Sequence, residues 1–290
     1  MKTIRDIDTL RDFVRGWRQD GETIALIPTM GNLHAGHMSL AALAQEHAER
    51  VIVSIFVNPA QFGSNEDFAA YPRTLDNDRR RLSRAGVDLM FAPSEEEIYP
   101  YGVDRMTVVS VPDLSTVLCG NDRPGHFDGV TSVVCRLFHI VQPSVAVFGQ
   151  KDYQQVVIIR RMVADLHLPI KILAGQTQRQ QDGLALSSRN RYLTEREKET
   201  ASNLHREINR CRERILTGET DYPKLEADGL KMLEDAGFQP DYFVVRKAGD
   251  LSTPSPDHRY LVIMAAARLG RARLIDNLFV ELSVQQAINA

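Results

Sequence analysis

Two histidines three residues apart, His34 and His37, lie within IPTMGNLHAGHMSL (residues 27–40), after an apolar strand pattern and before an apolar helical one. A joint of this kind, with Gly31 and Gly36 beside the imidazoles, suits three kinds of chemistry. Two imidazoles can begin a metal site, but a third or fourth ligand must complete the geometry. Cys119, Cys135 and Cys211 are not spaced to supply one. Phosphate binding is the second kind, because unpaired N–H groups and the dipole at a helix N-terminus favour an anion. Turn chemistry is the third: one histidine caps the turn and the other is a partly exposed helix residue. For an isolated pair the turn reading is preferred. In this joint, where Gly31 permits a tight turn and Gly36 a close backbone approach, phosphate is preferred.

Other segments that follow strand-like runs are also unusual. NPAQFG brings the amides of Asn58 and Gln61, which suit a neutral or carboxylate substrate, although Pro59 between them also serves to end a strand. QKDYQQ places Lys151 and Asp152 directly after Gly149; a lysine there neutralises polyphosphate charge, or simply opens the next helix on the surface. SSRN (187–190) offers two hydroxyls and a guanidinium for phosphate oxygens, or an ordinary helix-start turn. RPGHFDGV adds Arg123 and His126 in a glycine-flanked loop that is equally readable as a solvated turn.

The elements that must carry these loops alternate. TIALIP reads as a buried strand and VIVSIFV as a central parallel strand covered on both faces. Then come a helix in TLDNDRRRLSRAG, a strand in VDLMFAP, a helix through TSVVCRLFHIVQ, the strand VAVFG, the helix QQVVIIRRMVADL and the strand IKILAG. This rhythm predicts an α/β fold: a Rossmann-like, doubly wound parallel sheet with ligands beyond the carboxyl ends of its strands. After about residue 177 two amphipathic helices precede the strand candidates DYFVVRKA and YLVIMAAARL, so a smaller C-terminal α+β domain is expected, with domains at 1–177 and 178–290. The 290 residues carry a net charge of -3, which gives no general attraction for nucleic acid or an anionic membrane. Three dispersed cysteines, a charged N-terminal stretch and no apolar run near the roughly 20 residues of a membrane span lead to the expectation of a soluble cytoplasmic protein.

HAGH resembles the HIGH signature of the nucleotidylyl transferase superfamily, and SSRN stands where that superfamily has its second phosphate-binding signature. More narrowly, IPTMGNLHAGHMSL, SIFVNPAQFG, YPRTLDND, RPGHFDGV, FGQKDYQQ, DGLALSSRNRYL and AARLGRARLIDN are similar, in order and spacing from residue 27 to about 278, to the pantothenate synthetase (pantoate–β-alanine ligase) family. The resemblance implies an ATP-dependent, AMP-forming ligase that joins (R)-pantoate to β-alanine through a pantoyl adenylate, releasing pyrophosphate. It implies ATP contacts from Met30, Gly31, Asn32, Leu33, His34, Ala35, Gly36 and His37, from Gly149, Gln150, Lys151 and Asp152, and from Gln178, Leu186, Ser187, Ser188 and Arg189. His37, His34 and Lys151 would carry the catalysis. Gln61 and Gln155, with Asn58, Arg123 and His126, would hold pantoate and β-alanine. Mg2+ would travel on the ATP phosphates, with Asp78 reaching it through water, and a homodimer is implied. Gln150, Gln178, Arg136 and His139 depart from the residues usual in the family.

Overall fold

The computed structural model describes residues 1–282 except 64, 65 and 67. Two compact units emerge: Met1–Gln150 with Ile158–Gln176, and Lys151–Val157 with the residues from Thr177 onward. Lys151–Val157, which the sequence reading assigns to the first domain, counts with the second unit.

The first unit is built on parallel strands β1 (Lys2–Ile4), β2 (Ile24–Thr29), β3 (Arg50–Ile55), β4 (Leu89–Phe91), β5 (Val145–Gly149) and β6 (Lys171–Gly175). Their order across the sheet is β1-β4-β3-β2-β5-β6. Connecting them are helices α1 (Ile7–Gln19), α2 (Ala35–Gln45), α3 (Leu75–Arg84), the short α4 (Glu95–Ile98) and α5 (Cys119–Asp122), α6 (His126–Val141) and α7 (Tyr153–Asp165), within which the division between the units falls. β-Branched and aliphatic side chains fill β2 and β3 because helices cover both faces of such a sheet. Val51 and Val53, for example, are buried with Leu40, Ala41 and Val147 in one apolar cluster. From β2 the chain runs to β3 and β4 on one side, while β5 and β6 lie on the other. Beyond the carboxyl ends of β2 and β5 the order reverses, which is where open α/β sheets bind ligands. The histidine loop and Gly149–Gln150 begin there.

The second unit packs α8 (Glu195–Leu216) and α9 (Tyr222–Asp235) with antiparallel strands β7 (Gln239–Lys247), β8 (Tyr260–Leu269) and β9 (Ala272–Glu281). Leu204, Ile208, Cys211 and Ile215 form the buried stripe of α8 at helical spacing. Thr194 and Glu197 exchange capping-box hydrogen bonds at its start.

Besides the one-turn helices α4 and α5, three elements are absent from the pattern reading. β1 is only three residues long and exists by pairing with β4. Charge dominates α1, whose apolar stripe includes the buried Leu10 and Val14. β9 mixes charged and apolar residues, yet it pairs with β8 from Ala272 to Glu281. Helix α6 also starts earlier than TSVV suggests, directly after the left-handed Gly125 (φ 79°).

Candidate active site

His34 is the N-cap of α2, and its Nδ1 accepts a hydrogen bond from the Gly36 N–H at 3.2 Å. The Nδ1 of His37 accepts from the His34 N–H, also at 3.2 Å. The imidazoles thus form a capping box, with ring centroids 4.2 Å apart. This satisfies N–H groups that a helix start otherwise leaves unpaired. An Nδ1 that accepts bears no proton, so each neutral ring carries its N–H at Nε2. The turn reading of the pair therefore holds for both rings, each spending its Nδ1 on the helix start.

The preceding loop turns through two successive left-handed residues, Gly31 (φ 82°) and Asn32 (φ 51°). A Cβ on Gly31 would also meet Ile55 Cγ2 at 3.0 Å and Asp78 Oδ2 at 3.1 Å. Asp78, buried on α3, holds this turn: its carboxylate accepts from the N–H groups of Asn32 (2.9 Å) and Leu33 (2.8 Å) and from Thr74 Oγ1 (3.1 Å). Asp78, expected to reach a metal ion through water, here clamps the loop. An ionised carboxylate has about four acceptor positions; the loop takes two of them and Thr74 a third.

Beyond β3, Asn58, expected among the substrate contacts, is 1 % exposed and spends its amide on neighbouring groups. Its Oδ1 accepts from Ala60 N–H (3.3 Å) and Tyr99 Oη (2.6 Å), and its Nδ2 donates to Gly129 O and Gln61 Oε1, both at 3.1 Å. The backbone groups at each end fix which way the Asn58 amide points. Gln61 must then accept at Oε1 and present Nε2, which lies 3.0 Å from Met30 Sδ. Its tip is a donor, suited to a carboxylate or hydroxyl oxygen. Burial pushes the Tyr99 phenol up to about 12, so it remains a protonated donor at neutral pH.

Arg123 forms a two-pronged ion pair with Glu66 (2.5 and 2.7 Å) and lies 2.9 Å from His126 Nε2. Burial raises the Glu66 carboxyl, but its bonds to Arg123 outweigh that and hold it below the usual range. The Gln61 carbonyl accepts from His126 Nδ1 at 2.8 Å. Arg123 and His126, expected among the substrate contacts, here buttress Gln61.

In the second unit, Lys151 is followed by Asp152 with Nζ to Oδ1 at 3.9 Å, and the Lys151 carbonyl accepts from Asn277 Nδ2 at 2.8 Å. Gln178 and Leu186 are paired through Leu186 N–H and Gln178 O (2.9 Å) across a short hairpin. Ser187 caps the 3-10 turn Ser188–Tyr192, accepting from Arg189 N–H. Gln155 is half-buried on α7. The assigned residues thus divide between the units: Met30–His37, Asn58, Gln61, Asp78, Arg123, His126, Gly149 and Gln150 in the first, and Lys151, Asp152, Gln155, Gln178 and Leu186–Arg189 in the second.

Of the departures noted from sequence, Arg136 binds the carbonyls of Ser132 (2.8 Å) and Thr107 (2.9 Å), and His139 lies 2.8 Å from the Cys135 carbonyl. Both roles are structural. Tyr99, Glu66, Asp276 and Asn277 escaped the sequence reading, although the last two stand inside the AARLGRARLIDN stretch.

The family described as Pantoate-beta-alanine ligase matches residues 2–279. Pantothenate synthetase of Colwellia psychrerythraea is 52% identical over 288 residues, covering 98% of this chain and all of the relative. That of Chromohalobacter salexigens is 51% identical over 282 residues, with 97% and 99% covered. Among solved structures, pantothenate synthetase of Thermus thermophilus aligns with a TM-score of 0.87 at 40% identity, covering 96% of this chain and 99% of that one. A pantoate-beta-alanine ligase of Francisella tularensis, complexed with beta-gamma ATP and beta-alanine, aligns with a TM-score of 0.80 at 34% identity, with 96% and 97% covered.

Proposed function

The chain belongs to the pantoate-beta-alanine ligase family, and we propose that it joins pantoate to β-alanine in two steps at the groups described above. In the first, a pantoate carboxylate oxygen attacks the α-phosphorus of ATP; the bond to the bridging oxygen breaks and pyrophosphate leaves. In the second, the β-alanine amine attacks the acyl carbon of the adenylate; AMP leaves with its phosphate oxygen, and the amine gives up a proton. Neither step needs a protein nucleophile. Both need aligned reactants and stabilisation of charge developing on phosphate, which are large terms in enzymatic rate enhancement.

The capping box of His34 and His37 carries this reading, because it fixes two imidazoles at a helix N-terminus, where an anion is favoured. Lys151, Ser187, Ser188 and Arg189 add cationic and hydroxyl donors suited to phosphate. Gln61, held as a donor, suits the pantoate carboxylate or hydroxyls, and Gln155 is assigned to the same substrate. The complex of the Francisella relative with ATP and β-alanine supports these substrate assignments. Mg2+ fits as a companion of the ATP phosphates holding mostly water ligands, with Asp78 assigned to it only through such a water. A homodimer and a cytoplasmic location follow from the family resemblance. Among the described residues no helix is long and apolar enough to cross a membrane.

The deciding measurement is AMP release from ATP with pantoate, with and without β-alanine. AMP and pantothenate must both depend on the two substrates. AMP released without either one, or absent with both, refutes the assignment.

A further inference from the structure

Asp276 and Asn277 are consecutive on β9, and each is 3 % exposed. Burying polar side chains costs free energy unless they are hydrogen-bonded, and the partners of these two share a theme. The Asp276 carboxylate grips Arg179 with both oxygens (2.6 and 2.8 Å), accepts from the Asn277 N–H (2.8 Å), and lies 3.3 Å from His205 Nδ1. Arg179 in turn donates to Gly183 O at 3.1 Å, closing the hairpin whose arms are Gln178 and Leu186. That hairpin runs straight into Ser187–Arg189. Asn277 reaches the other segment, donating its Nδ2 to the Lys151 carbonyl at 2.8 Å. Lys151, Ala185, Ser187, Asn190 and Asp276 line one small cavity, so the two segments are neighbours.

We propose that Asp276 and Asn277 are positioning residues for adenylylation: Asp276 sets the hairpin that delivers Ser187–Arg189, and Asn277 sets the main chain at Lys151. Together they make these phosphate ligands one rigid set within the second unit. The inference rests on the reading of those residues as ATP ligands. Its physical basis is that an apolar pair could fill this core as well, whereas only a donor at 277 can hold a carbonyl and only a carboxylate can grip a guanidinium through two oxygens. Displacement of catalytic groups by about 1 Å can cost on the order of 10²-fold in rate.

Exchange of labelled pyrophosphate into ATP in the presence of pantoate reads adenylylation alone. In the full chain, Asn277→Ala and the isosteric Asn277→Asp, which cannot donate to a carbonyl, are expected to lower this exchange about tenfold, the worth of one good hydrogen bond. The loss should fall on ATP KM and kcat, with β-alanine KM within about twofold of wild type. Tyr153→Phe is the control, because it removes a buried tie from the same segment, Tyr153 Oη to Ala248 O at 2.9 Å, without touching Lys151. It should lower Tm and leave exchange unchanged. Wild-type exchange in both Asn277 variants overturns the proposal, as does a loss spread equally over the kinetics of all three substrates. Failure of both variants to fold gives Asn277 a structural role only and also overturns it. If the wild-type enzyme shows no exchange, the adenylylation reading falls and takes the proposal with it.

Discussion

In the histidine pair, capping through Nδ1 and the proposed contact with phosphate are different jobs, and substitution can separate them. Asparagine is a strong N-cap residue, so His34→Asn is expected to keep stability within about 0.5 kcal/mol of wild type while slowing adenylate formation. His34→Ala loses the cap as well and should cost about 1 kcal/mol. Denaturant titration and single-turnover adenylate formation read the two effects independently, and equal stability losses in both variants would contradict the capping role. His37→Ala should slow adenylate formation on the order of 10²-fold, as loss of a transition-state donor does, with little change in pantoate binding. An equal loss in rate and affinity would argue against that role. Tyr99→Phe tests the amide relay: removing one of two donors to a buried acceptor should cost about 1 kcal/mol and raise pantoate KM more than ATP KM. A rise confined to ATP would refute it.

At the level of elements, α6 lies so close to the 3-10 turn at Pro59–Gln61 that a Cβ on Gly129 would sit 2.2 Å from Ala60 O. Gly129→Ala must push these segments apart, and overpacking of this kind costs about 1–3 kcal/mol. Because Asn58 Nδ2 binds the Gly129 carbonyl, the variant should also raise pantoate KM; a stability loss with unchanged KM would uncouple the helix from Gln61. On β9, burial raises the Asp276 carboxyl, but His205 and Arg179 prevail and hold it below its ordinary value. A depressed folded-state pKa contributes stability that is present above the unfolded value, about 3.9 for Asp, and is lost as pH falls through the folded one. The second unit should therefore lose stability from about pH 4 downward, and Asp276→Asn should flatten that slope in denaturant titrations. An unchanged slope would refute the assignment.

For the molecule as a whole, each unit has its own apolar core. Cys135 belongs to the first unit and Cys211 to the second, and both are buried. Burial pushes the Cys211 thiol up to about 12 and raises that of Cys135, so neither should react with a thiol reagent in native buffer at about pH 8, below the ordinary thiol range. In rising denaturant they report the opening of each core separately. Labelling of Cys211 and Cys135 at distinct midpoints is the expected result for two cores, and coincident labelling at every concentration would mean that the units unfold as one.

Local pattern determined much of this protein. Runs such as VIVSI and VAVFG can only be buried strands, glycines and polar residues clustered after them mark a ligand edge, and the motif order carried the family. What local pattern could not determine is where each polar side chain spends its hydrogen bonds. HAGH is equally compatible with cap and phosphate donor, and only the folded loop shows that both Nδ1 atoms serve the cap. Asn58, Arg123 and Asp78 have the chemistry of substrate or metal ligands, yet they hold Gln61 and the histidine loop through partners 45 to 71 residues away in sequence. Such pairings depend on strand order and helix packing, which bring distant residues within hydrogen-bond reach, and no window of sequence contains that information.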